Sequence, residues 1–198
     1  MGQPGALADF VAVIGAGLAH VFPQDHAGHG VGQHMQQALD QPVWTMGDGV
    51  AHRLPVCDHL PSALDAARRS GRPALRDWAD AFAALAPALR WQRSTRAGSP
   101  AFQGGHANTQ VIGPEGLARS GDVVLGASLL APGVVYPEHD HPPEEIYLVM
   151  TAGDWFNRQA GWYTPGAGGA VHHPPGIVHA MRAGAQPLLA VWCLWLGP

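Results

Sequence analysis

Residues Tyr136–Met150 read YPEHDHPPEEIYLVM, a stretch that sets two histidines, two adjacent glutamates and two tyrosines among strand-forming apolar residues. Imidazole, carboxylate and phenol all lose hydration on burial, so a strand leading into a core carries them at a cost unless something inside compensates. A metal ion does so. On an extended chain, residues two apart face the same way. His139 and His141 therefore share a side, Pro142 and Pro143 bend the chain, and Glu145 and Tyr147 share a side again. Val149 continues that inward set, while Ile146, Leu148 and Met150 take the opposite face. A second segment, GGAVHHPPGIVHA, follows about thirty residues downstream, and its Pro174–Gly176 turn precedes His179. Antiparallel hairpins across that gap bring His179 back beside the first set. The three imidazoles of His139, His141 and His179 with the carboxylate of Glu145 suit one divalent transition metal, Zn²⁺, Fe²⁺, Mn²⁺ or Co²⁺, with positions left open for a small-molecule substrate. The ligand set alone does not choose among these ions.

The elements that position such a set change character near residue 91. Beyond it, short β-rich runs alternate with Gly and Pro turns: TQVIG, DVVLGASLL, EIYLVM, DWFN, GWYT, AVHH and PLLAVWCLWL. Turns at roughly ten-residue spacing predict an all-β sandwich or barrel of antiparallel strands. Before it the patterns are helical. Leu7, Phe10, Ile14, Leu18 and Val21 line one side of a first helix ended by Pro23, although Gly15 and Gly17 weaken it. Ser62, with Asp65 three residues on, is placed to cap a helix running to Gly71. Leu75, Trp78, Phe82, Leu85 and Leu89 form a further apolar stripe, and Pro87 should break its last turn. The expectation is a single domain over 1–198, with N-terminal helices (1–91) packed on a β-barrel (92–198). His20, His26, His29 and His34 lie in a Gly-rich segment that reads as a solvated loop. Of the adjacent His172 and His173, at most one points inward, and neither is counted as a ligand; His106 stands alone.

Composition narrows the function classes. The chain has 198 residues, 46% hydrophobic and 13% charged, which suits an ordinary globular protein. Its net charge of −4 and the absence of a basic run argue against nucleic acid as a partner. Its 12 histidines hint at metal. Cys57 and Cys193 make no disulfide framework and no Cys-x-x-Cys pair, which favours a reducing compartment and disfavours a thiolate zinc site. The apolar N-terminus lacks the Lys/Arg region of a signal peptide, Asp9 interrupts it, and it is too broken to span a bilayer. A cytoplasmic protein without membrane partners, monomeric or homodimeric, is expected.

With these residues in view, the chain resembles the cupin superfamily. In GVVYPEHDHPPEE, Gly133, His139, His141 and Glu145 fit the first metal motif of that superfamily, with the closing Gly153 one residue late. Gly168, Pro174, Gly176 and His179 fit the second, without its frequent later asparagine. Tyr136 three residues before His139, with Tyr147 in a Glu-x-Tyr pair, is similar to the cupin-type dimethylsulfoniopropionate lyases, as are the upstream ANTQVIGPEG and the helical N-terminal region. The resemblance implies a mainly β cupin barrel with an N-terminal α-helical region. It also implies metal-dependent β-elimination to dimethyl sulfide and acrylate, with the metal holding the substrate carboxylate. Tyr147 would be the general base, and Tyr136 would orient the substrate or assist. A free tyrosine has a pKa of about 10, and a cation beside it favours the phenolate. The ligand set also permits an Fe²⁺-dependent oxygenase, an isomerase, or a cupin that binds a small ligand without turning it over. A sulfonium needs an apolar or aromatic surround. Trp155, Trp162, Trp192 and Trp195 fall on barrel strands, with Trp192 and Trp195 on opposite faces of one of them.

Overall fold

The structure, a computed structural model, describes residues 3–40 and 45–197. Helix α1 (Gln3–His20) forms where the apolar spacing predicts it, with Leu7, Phe10, Ile14 and Leu18 buried. The Gly-rich segment that follows is not a loop throughout. Gly28–Asp40 forms α2, because Val31, Met35 and Leu39, four apart, make a stripe that buries against the same core. His29 and His34 are therefore helical, and His20 closes α1. The capping box at Ser62 does not form. Helix α3 (Leu60–Arg68) begins two residues earlier, out of a 3-10 turn over Pro55–His59. Ser62 thus sits in the first turn, where its hydroxyl donates to the His59 carbonyl at 2.9 Å, and Asp65 pairs with Arg68 at 3.2 Å. Helix α4 (Pro73–Leu85) buries Leu75, Trp78, Phe82 and Leu85 and gives way to a 3-10 turn, Ala86–Ala88, at Pro87.

From residue 91 the chain is mainly strand, interrupted by the short helix α5 (Pro100–Gly105). The strands in chain order are β1 (Thr45–Met46), β2 (Trp91–Gln92), β3 (His106–Ile112), β4 (Ala118–Arg119), β5 (Val123–Leu130) and β6 (Val135–His139). Then come β7 (Glu144–Val149), β8 (Gly153–Asn157), β9 (Gly161–Tyr163), β10 (Ala170–His173), β11 (His179–Ala183) and β12 (Leu188–Trp195). They make an eight-stranded sheet in the order β1-β4-β3-β5-β12-β7-β10, with β2 beside β3, and a four-stranded sheet in the order β6-β11-β8-β9. This is the mainly β cupin barrel, with helices at the N-terminus. Strand β3 starts at His106, three residues before the TQVIG run.

Two-residue alternation divides the large sheet between two cores. Ile146, Leu148 and Met150 face outward into a core shared with α1, α2 and α4, together with Val191 and Cys193 of β12. Tyr147, Val149, Ala190 and Trp192 face inward, toward the small sheet. The N-terminal helices therefore cover the outer face of the large sheet. Both cysteines are buried free thiols. Among the described residues no helix is long and apolar enough to cross a membrane.

The inner face has a tight point at Gly126 on β5. A Cβ there would lie 2.3 Å from the Trp192 ring and 2.3 Å from the Thr109 carbonyl oxygen. One contact is backbone and the other a packed indole, so neither gives way cheaply. Gly126→Ala is expected to destabilise the fold by about 1–3 kcal/mol, read as a lower denaturant midpoint at unchanged slope; an unchanged midpoint would show that Trp192 moves freely.

Candidate active site

Five strands converge on one point inside the barrel. Register pairs His139 of β6 with His179 of β11, Glu145 of β7 with His173 of β10, and Tyr147 of β7 with Trp192 of β12. His141 is delivered by the turn between β6 and β7, where Pro142 and Pro143 forbid a continuing strand. The turn into β11 needs Gly176, whose φ is +70°, and the Gly176 amide donates to the His141 carbonyl at 3.0 Å, tying the two motifs together. All six residues expected at the site are brought together: His139, His141 and His179 form one group of donors, Glu145 joins His179 in a second that shares it, and Tyr147 and Tyr136 line the same pocket.

The ring orientations are set by backbone. His139 Nδ1 contacts the Pro137 carbonyl, His141 Nδ1 that of Pro143 and His179 Nδ1 that of Ile177, each at 2.9 Å. A carbonyl only accepts, so each Nδ1 carries the proton and each Nε2 faces the cluster. His141 Nε2 lies 3.1 Å and His179 Nε2 3.3 Å from Glu145 Oε2. Donors bound to one ion at about 2.1 Å, at right or tetrahedral angles, stand roughly 3.0–3.4 Å apart. His179 Nε2 is buried without a hydrogen-bond partner. The donor atoms of His139, His141 and His179 lie within 4.8 Å of one another, as do those of Glu145, His173 and His179. Donor chemistry, spacing and the unpartnered nitrogens all fit a divalent transition metal.

His173 is the residue that motif reading misses. It is fully buried, with Nδ1 3.6 Å from Glu145 Oε2, whereas His172 points the other way and pairs with Glu144. Strand parity held the signal: in AVHH, His173 shares a face with Val171, and Val171 belongs to the inner core.

The electrostatics follow from burial and from the carboxylate. Burial alone would raise the Glu145 carboxyl, but the hydrogen bond to His141 and the close approach of the His173 and His179 rings outweigh it and hold the group well below the usual range. Burial also works against charge on His141, yet Glu145 overrides it and raises that imidazole. His139 is pushed down to about 3, first by burial and then by His179. Burial, then the Glu145 charge, lift the Tyr147 hydroxyl well above the usual phenol range.

A pocket of about 600 Å³ opens onto this cluster, lined by Tyr136, His139, His141, Glu145, Tyr147 and Trp192. Its rim is the segment Gln92–Arg96, and none of helices α1–α4 contributes to the lining. The helices thus support the sheet from outside rather than cover the mouth. Trp192 is the tryptophan that faces the pocket, while Trp195 packs toward the helices near His34. The Tyr136 hydroxyl lies 3.4 Å from Ser94 Oγ on the rim.

Behind Tyr136, His106 is buried, stacked on Phe102, with its Nε2 donating to Asn108 Oδ1 at 2.9 Å. Burial depresses it to about 4 against the Asn108 hydrogen bond. The unfolded chain then binds a proton near pH 6.5 that the folded chain refuses until about pH 4. This stability is whole above roughly pH 6.5 and is lost as the pH falls, by up to roughly 3 kcal/mol. The unfolding free energy is expected to drop between pH 7 and 4.5, and His106→Gln should flatten that slope; parallel wild-type and variant slopes would assign the acid loss to other groups.

The chain is similar in sequence and in fold to known proteins. The family model for DMSP (dimethylsulfoniopropionate) lyase matches residues 29–190. DddL of Cereibacter sphaeroides is 30% identical over 144 residues, 72% of this chain and 60% of that protein. The dimethylsulfoniopropionate lyase DddQ of Ruegeria pomeroyi is 32% identical over 124 residues, 60% of each chain. The chain thus spans about 60% of the length of both curated relatives. Its fold matches a chain from the crystal structures of the DMSP lyases RdDddP and RnDddQII with a TM-score of 0.75, at 22% identity over 98% of this chain and 94% of that one. It matches the crystal structure of DddQ from Ruegeria pomeroyi with a TM-score of 0.71, at 21% identity over 96% and 91%. With more than half its length matched by the family model, the chain belongs to the DMSP lyase family.

Proposed function

We propose that this protein cleaves dimethylsulfoniopropionate to dimethyl sulfide and acrylate by β-elimination, with His139, His141, Glu145 and His179 holding one divalent metal and Tyr147 as general base. The observation that carries the reading is the placement of a buried phenol, Tyr147, on the same inner face as Glu145 and opposite Trp192, in a pocket that opens onto the imidazole cluster. The names of the relatives support the substrate class.

The proton to be removed lies beside a carboxylate and is very weakly acidic. A bound divalent ion supplies Lewis-acid neutralisation of that carboxylate and positive charge that favours the Tyr147 phenolate. Tyr147 Oη takes the proton from the carbon next to the carboxylate, the C–H electron pair becomes the double bond, and the C–S pair leaves with sulfur as neutral dimethyl sulfide. The proton then resides on Tyr147 until acrylate departs. Trp192 offers the sulfonium a ring face. Tyr136, whose ring packs beside His139 at 4.5 Å, flanks the substrate and orients it. Burial keeps bulk water from the phenolate, which strengthens it as a base.

The test is headspace dimethyl sulfide and solution acrylate from metal-loaded protein given dimethylsulfoniopropionate under nitrogen. Equimolar products without oxygen are expected. Release that needs oxygen, or none with any of Zn²⁺, Fe²⁺, Mn²⁺ and Co²⁺, overturns the reading.

A further inference from the structure

His173 has no part in the four-donor set above, yet its position is not that of a packing residue. It is wholly buried, and neither ring nitrogen has a hydrogen-bond partner. An unpaired buried polar group is destabilising, and a valine or leucine would fill the same inner-core space without that cost. Its neighbours are the cluster itself. Nδ1 stands 3.6 Å from Glu145 Oε2, the ring lies against His179 with centroids 4.0 Å apart, and Tyr147 meets it edge-on at 5.8 Å. The contrast with its neighbours in type is informative. His139, His141 and His179 each commit Nδ1 to a backbone carbonyl. His172, one residue earlier, pairs with Glu144. His173 alone among the site histidines keeps both nitrogens uncommitted, and its donor atom falls within 4.8 Å of those of Glu145 and His179.

We propose that His173 is a fifth protein donor to the metal, bound through Nδ1 from the side away from the pocket. The inference rests on the metal-centre reading above and adds to it a ligand and a class of ion. His139, His141 and Glu145 line the pocket and leave its side of the ion to substrate, whereas His173 does not line it. Four imidazoles and one carboxylate exceed the tetrahedral set that Zn²⁺ prefers in closed sites. They suit an ion that takes six ligands, such as Fe²⁺, Mn²⁺ or Co²⁺, and leave one position for a substrate carboxylate.

The test is proton NMR of the full chain loaded with Co²⁺. Each imidazole bound to the paramagnetic ion contributes one exchangeable N–H signal shifted far outside the normal range. The wild type is expected to show four such signals, from His139, His141, His173 and His179. His173→Gln should lose one of them and lose Co²⁺ to a competing chelator at least about tenfold more readily. Three signals in the wild type overturn the inference and leave the metal centre standing, as does a variant that keeps every signal of the wild type. A chain that takes up no Co²⁺ overturns both. The wild-type count stands by itself if the variant does not fold.

Discussion

Tyr147→Phe is expected to lower dimethyl sulfide release by about 10²–10⁴-fold while the metal content stays that of the wild type. That range is what a positioned general base contributes, and it corresponds to roughly 2.7–5.5 kcal/mol of transition-state stabilisation. The substitution removes one oxygen and keeps the ring. The ring is what packs, edge-on to Trp155 at 6.1 Å and to His173 at 5.8 Å. Folding should therefore survive, and the melting temperature checks that it does. Because the proposed base acts on the proton and not on the carboxylate, the loss should fall on kcat with little change in KM. Tyr136→Phe makes the contrast. Its hydroxyl reaches Ser94 on the rim at 3.4 Å, so its removal should raise KM more than it lowers kcat. Loss of less than tenfold from Tyr147→Phe, in protein with full metal, would remove Tyr147 as the base.

The part of the site that can be read from sequence is the part carried by strand parity and by proline. His139 and His141 two apart, Pro142–Pro143, then Glu145 and Tyr147 two apart, fix one inner face of β6 and β7, and the structure gives those side chains that face. On β12 the same rule fails to choose a side, because the strand is apolar on both faces: Trp192 meets the pocket and Cys193 meets the helices. His173 escaped because a histidine pair offers no preference between its members until Val171 is known to face inward. The helices show a different failure. Three glycines in α2 hide an apolar stripe that only tertiary burial makes decisive. At α3, the helix began upstream of the residue with the best capping chemistry, because Pro55 and Pro61 preset the preceding turns. The pocket rim at Gln92–Arg96 has no periodic pattern, and only the closure of the barrel identifies it.

Removing the metal should abolish elimination and also loosen the fold, and the two effects need not follow each other. A ligand bound only by the folded state adds about 4 kcal/mol when present at a thousand times its dissociation constant. For a chain of this size that corresponds to a fall in melting temperature of roughly 10 °C on stripping with a chelator. The donors that would lose their ion are Glu145, 3% exposed, and His179, 2% exposed. Little water reaches either, so the protein's own contacts, chiefly His141 against Glu145 at 3.1 Å, must stand in for much of what the ion supplied. Reloading with Zn²⁺, Fe²⁺, Mn²⁺ or Co²⁺ should restore the melting temperature with every ion that fits, but activity only with those that leave a position for the substrate carboxylate. Ligating imidazoles must be unprotonated, so retention should weaken as the pH falls through the histidine range. A melting temperature that follows the metal while dimethyl sulfide release does not would make the ion a structural clamp and return the chemistry to Tyr147 and Trp192 alone. Indifference of both to chelation, in protein shown to be metal-free, would remove the metal centre, because an ion held by buried donors cannot leave without weakening the state that binds it.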